Sequence, residues 1–271
     1  MPYQTLRQTT PTCQIDADEP RLPIVKLIRL LAEFVRAVLV LWLLFPKLQR
    51  VDRLWQIQRW AKNVLQILNI QVQCDEFLPG AGAGLLVANH ISWLDILVIQ
   101  SLAPGVFVAK SEVRRWPLIG SMALACDTIF VERSSGKSAR AMIDDSMVAM
   151  GQGYSVIAFP EGTSSDGSDL GIFHANIFEG AIKARTCAQP VTLRYVNSNN
   201  NLPHDAAPFI GDMTLVSSLR KIMATSTIRA KVHIGESIQS AGHTRKSLAN
   251  QAHQSIRREL TRQRHGFEAN S

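Results

Sequence analysis

GLLVANHISWLD, residues 84–95, decides the fold and raises the functional question in one stretch. Its first half is an apolar run too continuous for a strand with one wet face, so it reads as a strand buried on both sides. Its second half sets a histidine at the mouth of that strand and a carboxylate five positions on. In an unbroken helix, residues five apart point about 140° away from each other. His90 and Asp95 therefore meet only if His90 lies in a turn and Asp95 in the first turn of the helix that follows. Ser92 and Asp95 have capping-box spacing, which makes Ser92 the expected N-cap. A cap leaves the histidine unexplained. A carboxylate on one ring nitrogen fixes the tautomer and strengthens the other nitrogen as a base near neutral pH, so His90 and Asp95 are the candidate catalytic pair.

The same strand-then-helix rhythm continues outward. VFVAK, TIFVE, YSVIAF, PVTLRY and RAKVHIG read as strands, with helical stretches near Asp95–Ser101, Ser138–Met150, Ala175–Arg185 and Thr214–Ala224. The expectation is an α/β domain over residues 72–240, a mixed and mostly parallel sheet flanked by helices. In such sheets ligands bind beyond the carboxyl ends of the strands. Lys110 closes VFVAK there. Arg133, just past TIFVE, suits an anion held by paired hydrogen bonds. In FPEGTSS, residues 159–165, Pro160 stops strand pairing and Glu161-Gly162 makes a turn. Its backbone N–H groups and the hydroxyls of Thr163 and Ser164 can face a ligand. Gly136-Lys137-Ser138 imitates the end of a phosphate-binding loop, but the required earlier glycine is Val131, which argues against nucleotide hydrolysis. No Gly-x-Ser-x-Gly elbow is present, which argues against a serine hydrolase.

Before the sheet, residues 1–21 are polar and read as a flexible N-terminus. LIRLLAEFVRAVLVLWLLF, residues 27–45, approaches the length of a membrane span, yet Arg29, Glu33 and Arg36 interrupt it and Lys26 precedes it. Spacings of three and four put these charges on one helical stripe. Each costs about 2.5–3.5 kcal/mol at the bilayer centre against about 0.3–0.6 returned per large apolar residue, so insertion nearly balances. The next helix, residues 51–70, is amphipathic: Leu54, Ile57, Ala61, Val64 and Leu68 form one face, and Trp55 and Trp60 suit a headgroup boundary. Residues 22–71 are thus expected to form a membrane-associating helical hairpin. A spanning segment and a hairpin simply packed on the domain are the other two readings. Residues 241–271 read as a basic surface helix and tail.

The 271 residues are 46% hydrophobic, enough for one full core, and carry a net charge of +7 that favours anionic partners. Nucleic-acid motifs are absent. Cys13, Cys74, Cys126 and Cys187 lie far apart, which reads as reduced thiols on the cytoplasmic side rather than a disulfide framework or a zinc site. No metal is expected.

NHISWLD, TIFVER, FPEGTSS and AQPVTLRY, in this order over residues 70–200, resemble the membrane-bound glycerolipid acyltransferases typified by 1-acylglycerol-3-phosphate acyltransferase. The resemblance implies transfer of a fatty acyl group from a thioester, acyl-CoA or acyl carrier protein, to a lysolipid hydroxyl, with no cofactor. It implies His90 as base, Asp95 as its orienter, and Arg133, Glu161 and Gly162 around the acceptor. It also implies N-terminal helices in the bilayer and a catalytic domain at the cytoplasmic face, the inner membrane in a bacterium. Three positions depart from the family pattern: Ser164 stands where arginine is usual, Asp127 where glycine is, and His174 where lysine is. FPEGTSSDG followed by QPVTLRY is also similar to the branch that acylates lyso-ornithine lipid. The sequence favours lysophosphatidic acid as acceptor, with lyso-ornithine lipid second. A non-catalytic lipid-binding protein is the rival class, opposed by the intact His90, Asp95, Glu161 and Gly162.

Overall fold

The central strands are apolar on both faces because helices cover both. A computed structural model of the chain describes residues 23–75, 83–132 and 135–268. Strands β1 (Ile70–Cys74), β2 (Gly84–Ala88), β3 (Val106–Lys110), β4 (Ile129–Val131), β5 (Ser155–Ala158), β6 (Cys187–Asn197) and β7 (Ile228–Ile234) form one sheet in the order β1-β7-β6-β2-β5-β3-β4. The short β8 (Ile238–Gln239) pairs with β6 off that path. Every neighbouring pair is parallel except β6 with β7 and β6 with β8. The expected mixed, mostly parallel sheet is what forms.

Alternation along each strand sends side chains to two cores. Leu86, Ala88, Ile157, Leu193 and Tyr195 face one core, shared with Val64 and Leu65 of α2 (Arg50–Ile67), Leu94 and Val98 of α3 (Leu94–Leu102), and Ile222 of α7 (Leu215–Ala224). Leu85, Val87, Val156 and Ala158 face the other. That core is shared with Met150 of α5 (Gly136–Gly151), Phe178 of α6 (Asn176–Lys183), and Leu248 and Ile256 of α8 (Arg245–Glu268). Each fully buried large side chain contributes about 1.5–3 kcal/mol. β7, IRAKVHI, instead alternates buried with half-buried residues. Its second face carries Arg229, Lys231 and His233 near the sheet's margin.

Several expectations change here. The boundary drawn at residue 71 falls inside β1, which the sequence reading had merged into the preceding helix. α2 packs on α3 and supplies main-core residues, so the hairpin is not a separate appendage. α8 begins near the expected point, but Leu248, Ala249, Ala252, Ile256 and Leu260 are buried, so this helix closes a core. Its apolar stripe was overshadowed by its arginines. A short 3₁₀ turn at Ser111–Arg115 and α4 (Ile119–Ala125) were not anticipated. The Gly-Lys-Ser decoy is a helix start: the Ser135 side chain accepts from Ser138 N and caps α5. The N-terminal tail 1–21, most of the PGAGAG linker and Arg133 lie outside the described residues.

α1 (Ile24–Leu43) has its polarity reversed relative to a helix on a water-facing surface. Glu33 is buried, holds Arg36 at 2.6 Å and accepts from Asn63 of α2 at 3.1 Å. Lys26 donates to the Met223 carbonyl at 3.3 Å. The outward stripe is Ile24, Ile28, Leu31, Val35 and Trp42, the last 81% exposed. Of the predicted charged stripe, Arg29 alone is fully exposed. Trp60, expected at a headgroup boundary, packs edge-on against Phe34 at 5.7 Å between the two helices. Among the described residues no helix is long and apolar enough to cross a membrane.

Candidate active site

Asn89 ends β2 by turning its amide onto the next strand. Its Nδ2 donates to the Leu193 carbonyl at 3.0 Å and its Oδ1 accepts from Leu193 N at 2.7 Å. The side chain thus continues the ladder for one more step while the main chain leaves the sheet. His90 comes next, and α3 starts four residues later, so the turn required for the pair to meet exists. His90 Nδ1 lies 2.7 Å from Asp95 Oδ2. With the carboxylate there, the proton of neutral imidazole sits on Nδ1 and the lone pair on Nε2, which makes no hydrogen bond to any described residue. The side chain of His90 is 21% exposed and that of Asp95 is fully buried.

Asp95 is held from several directions. Oδ2 also accepts from Ile91 N at 2.7 Å and Ser92 N at 2.9 Å, and Oδ1 accepts from the Tyr195 hydroxyl at 2.7 Å. Only half of the expected capping box forms. The carboxylate reaches back to Ser92 N, but the Ser92 hydroxyl is buried and makes no hydrogen bond to any described residue, and the residue bounding α3 is Trp93. The loop follows the carboxylate rather than the serine, because a buried charge gains more from each donor than a neutral hydroxyl does.

The face of the His90 ring is fixed by Phe159, stacked at 4.1 Å with planes 10° apart. Phe159 leads directly into the second expected segment. Glu161 is almost fully buried, and its two oxygens bridge two loops: Oε1 accepts from His90 N and Oε2 from Gly171 N, each at 2.7 Å. Burial pushes the Glu161 carboxyl above the ordinary glutamate range, against the pull of the two backbone donors and of His90. Gly162 takes φ +67°, a left-handed turn that glycine adopts freely. Ser164 donates its hydroxyl to the Phe209 carbonyl, and Ser165 N donates to the His90 carbonyl at 2.9 Å. Thr163 stays exposed. Beside this turn opens a cleft of about 490 Å³, lined by Glu161, Thr163, Ser165, Asp166, Asp169 and His174 among others. Lys110, at the carboxyl end of β3, sits on the same sheet edge beyond β5.

The structure therefore joins His90, Asp95, Glu161, Gly162, Thr163 and Ser164 in one loop cluster, with Lys110 two strands away. It alters two of the expected contacts. The Glu161 carboxylate is a backbone strut, and the Ser164 hydroxyl is already engaged. Residues that sequence reasoning missed are Asn89, Phe159, Gly171 and Tyr195. For Tyr195 one signal existed: alternation with Leu193 along β6 puts it on the face toward α3. Nothing local named its partner, 100 positions away.

A histidine held at 2.7 Å by a buried carboxylate, at the carboxyl-end edge of an α/β sheet, is the arrangement expected of a site that moves a proton during group transfer. The comparisons with known proteins make the class specific. The family described as Acyltransferase matches residues 69–194. The chain is 38% identical over 212 residues to a lyso-ornithine lipid O-acyltransferase of Pseudomonas aeruginosa, covering 78% of this chain and 79% of that one. It is 32% identical to a 1-acyl-sn-glycerol-3-phosphate acyltransferase of Neisseria gonorrhoeae, covering 64% of this chain and 67% of that one. The crystal structure of the 1-acyl-sn-glycerophosphate acyltransferase of Thermotoga maritima shares the fold, with a TM-score of 0.61, 20% identity, and coverage of 88% of this chain and 96% of that one. The chain belongs to the acyltransferase family and is an acyltransferase.

Proposed function

We propose that the protein moves a fatty acyl group from an acyl thioester to the free hydroxyl of a lysolipid, with lyso-ornithine lipid as acceptor. The observation that carries the reaction is the 2.7 Å contact between His90 Nδ1 and the buried Asp95. An alcohol is too weak an acid to ionise at neutral pH, so its proton must leave as its oxygen attacks. His90 Nε2 takes that proton, and the alcohol oxygen adds to the thioester carbonyl. The tetrahedral intermediate collapses with cleavage of the C–S bond. The proton passes from Nε2 to the departing sulfur, giving an ester and a free thiol. The imidazolium formed in between is stabilised by Asp95. Acyl-CoA and acyl carrier protein both satisfy this chemistry as donor.

The acceptor assignment reverses the order the sequence favoured. Ser164 replaces the arginine usual in the family, and its hydroxyl is spent on Phe209. The ionisable side chains lining the cleft are Glu161, Asp166, Asp169 and His174. Such a wall suits a headgroup bearing an ammonium, as ornithine does, better than a phosphate monoester. The similarity to lyso-ornithine lipid acyltransferases, at 38% and, for Rhizobium meliloti, 31% identity over about four-fifths of each, supports the same acceptor. The second reading, lysophosphatidic acid, is favoured by the chain's net charge of +7 and by Lys110 on the same edge. One labelled acyl thioester offered together with both lysolipids tests the choice. Acylated lyso-ornithine lipid as the main product is expected, and a predominance of phosphatidic acid overturns the assignment.

The membrane is the proposed location of the acceptor, and the outward apolar stripe of α1 supports it. The triple variant Leu31→Gln, Val35→Gln, Trp42→Gln changes exposed side chains only. It should sediment far less with anionic phospholipid vesicles than the unaltered protein. Equal sedimentation removes α1 from the membrane contact.

A further inference from the structure

Tyr195 contributes nothing visible to the reaction just described, yet it ends on the group that controls it. It lies on β6, adjacent to the strand whose end carries His90. Its hydroxyl is the partner of Asp95 Oδ1, at 2.7 Å, while His90 Nδ1, Ile91 N and Ser92 N all converge on Oδ2. The two carboxylate oxygens are thus supported differently. Oδ2 is served by the loop itself, from residues within five positions of Asp95. Oδ1 is served from across the sheet, by one side chain 100 positions away. Tyr195 is 4% exposed and Asp95 fully buried, so no bulk water competes for that oxygen.

We infer that Tyr195 is a positioning residue for the base: through Asp95 it sets how strongly the carboxylate draws on the Nδ1 proton of His90. This rests on the reading of His90 as the general base. A donor on Oδ1 withdraws negative charge from the carboxylate and moderates its hold on the imidazole. Losing that donor concentrates charge on the pair, and His90 then holds a proton more tightly. A base that is too proton-hungry is idle at neutral pH, because it is already occupied. The phenol keeps its proton, since burial, and after it the adjacent carboxylate, push its ionisation well above the ordinary tyrosine value. It therefore donates throughout the working range. Its rigid ring, packed in the main core, also fixes the azimuth of the carboxylate.

Tyr195→Phe in the full-length protein tests this with two readouts. In acyl transfer, the acid limb of the kcat/KM profile should move up by about half to one pH unit, a factor of about 3–10 in proton affinity. At neutral pH kcat should fall by a similar factor, with both KM values within about twofold. In the second readout, ring-labelled histidine is followed by NMR, with His90→Ala identifying the resonance. The His90 midpoint should shift in the same direction, and in an Asp95→Asn background Tyr195→Phe should leave it unmoved. If Tyr195→Phe does not fold, 3-fluorotyrosine at position 195 keeps the shape and strengthens the donor, and should move both readouts to lower pH. A purely structural tyrosine would lower the melting temperature and leave the acid limb and the resonance where they are. That outcome, or a shift that persists with Asp95→Asn, overturns the inference. The NMR arm does not need turnover, so failure of the proposed reaction and failure of this inference are told apart.

Discussion

Asp95 and Glu161 are both buried carboxylates that touch His90, and the difference between them separates chemistry from scaffold. Asp95 meets the ring at Nδ1, the nitrogen on which a facing carboxylate favours the proton. Glu161 meets the backbone N–H of the same residue and spends its other oxygen on Gly171. On the proposed mechanism one carboxylate governs what the imidazole can do, and the other governs where the imidazole is. Burial alone does not distinguish them, and neither does proximity. The atom each one reaches does.

The comparison breaks most readily at Asp95. Asp95→Asn should lower kcat by about 10²–10⁴-fold, the range of a general base that has lost its orientation. His90→Ala should do at least as much. A loss below tenfold at Asp95, measured in steady-state acyl transfer, would remove the distinction between the two acids. Glu161→Gln should act on stability first. An amide offers one acceptor where two backbone donors converge, so about 1–3 kcal/mol of unfolding free energy should be lost in denaturant titration. Activity should fall less than with Asp95→Asn.

A smaller effect is the pH dependence of that stability. Because burial raises the folded-state affinity of Glu161 for a proton above its unfolded value of 4.5, the folded protein binds more protons than the unfolded chain over the window above pH 4.5. Stability contributed by this group therefore falls as pH rises through that window. Glu161→Gln should flatten the slope, and an unchanged slope would place the charge of Glu161 in solvent. The finest test is Gly171→Ala. Its new Cβ would lie 2.8 Å from Glu161 Oε2, so the strut must shift, with an expected cost of about 1–3 kcal/mol. If the variant is as stable as the parent, the bridge between the two loops is not holding them.

A second contrast lies in the helices. α2 buries the face its periodicity announces, with Ala61, Val64 and Leu68 in the main core. α1 has a comparable pattern but presents its apolar side outward, because Glu33 and Lys26 find partners on α2 and α7 and Glu33 holds Arg36 on α1 itself. An apolar stripe tells which residues share a face. It does not say whether that face meets protein or lipid.

The same limit governs the site. His90, Asp95 and the Glu161–Ser164 turn were legible because each lies within a few residues of a strand end, and chain geometry alone brings a strand end and the following helix start together. Phe159 and Tyr195 were not, although both stand in quoted motifs, since their roles depend on strand order. Only with β2 set between β5 and β6 does a phenylalanine leaving β5 stack on the imidazole and a tyrosine on β6 reach the carboxylate.

By itself, then, the sequence determined the α/β alternation and the His90–Asp95 pair, both consequences of spacing along a stiff backbone, and its resemblance to the glycerolipid acyltransferases implied the class of reaction. The tertiary structure decided which way α1 turns, that Glu161 is a strut and Ser164 a latch, and that a tyrosine distant in the chain completes the carboxylate's shell. Those depend on contacts between segments whose separation in sequence carries no record of their separation in space.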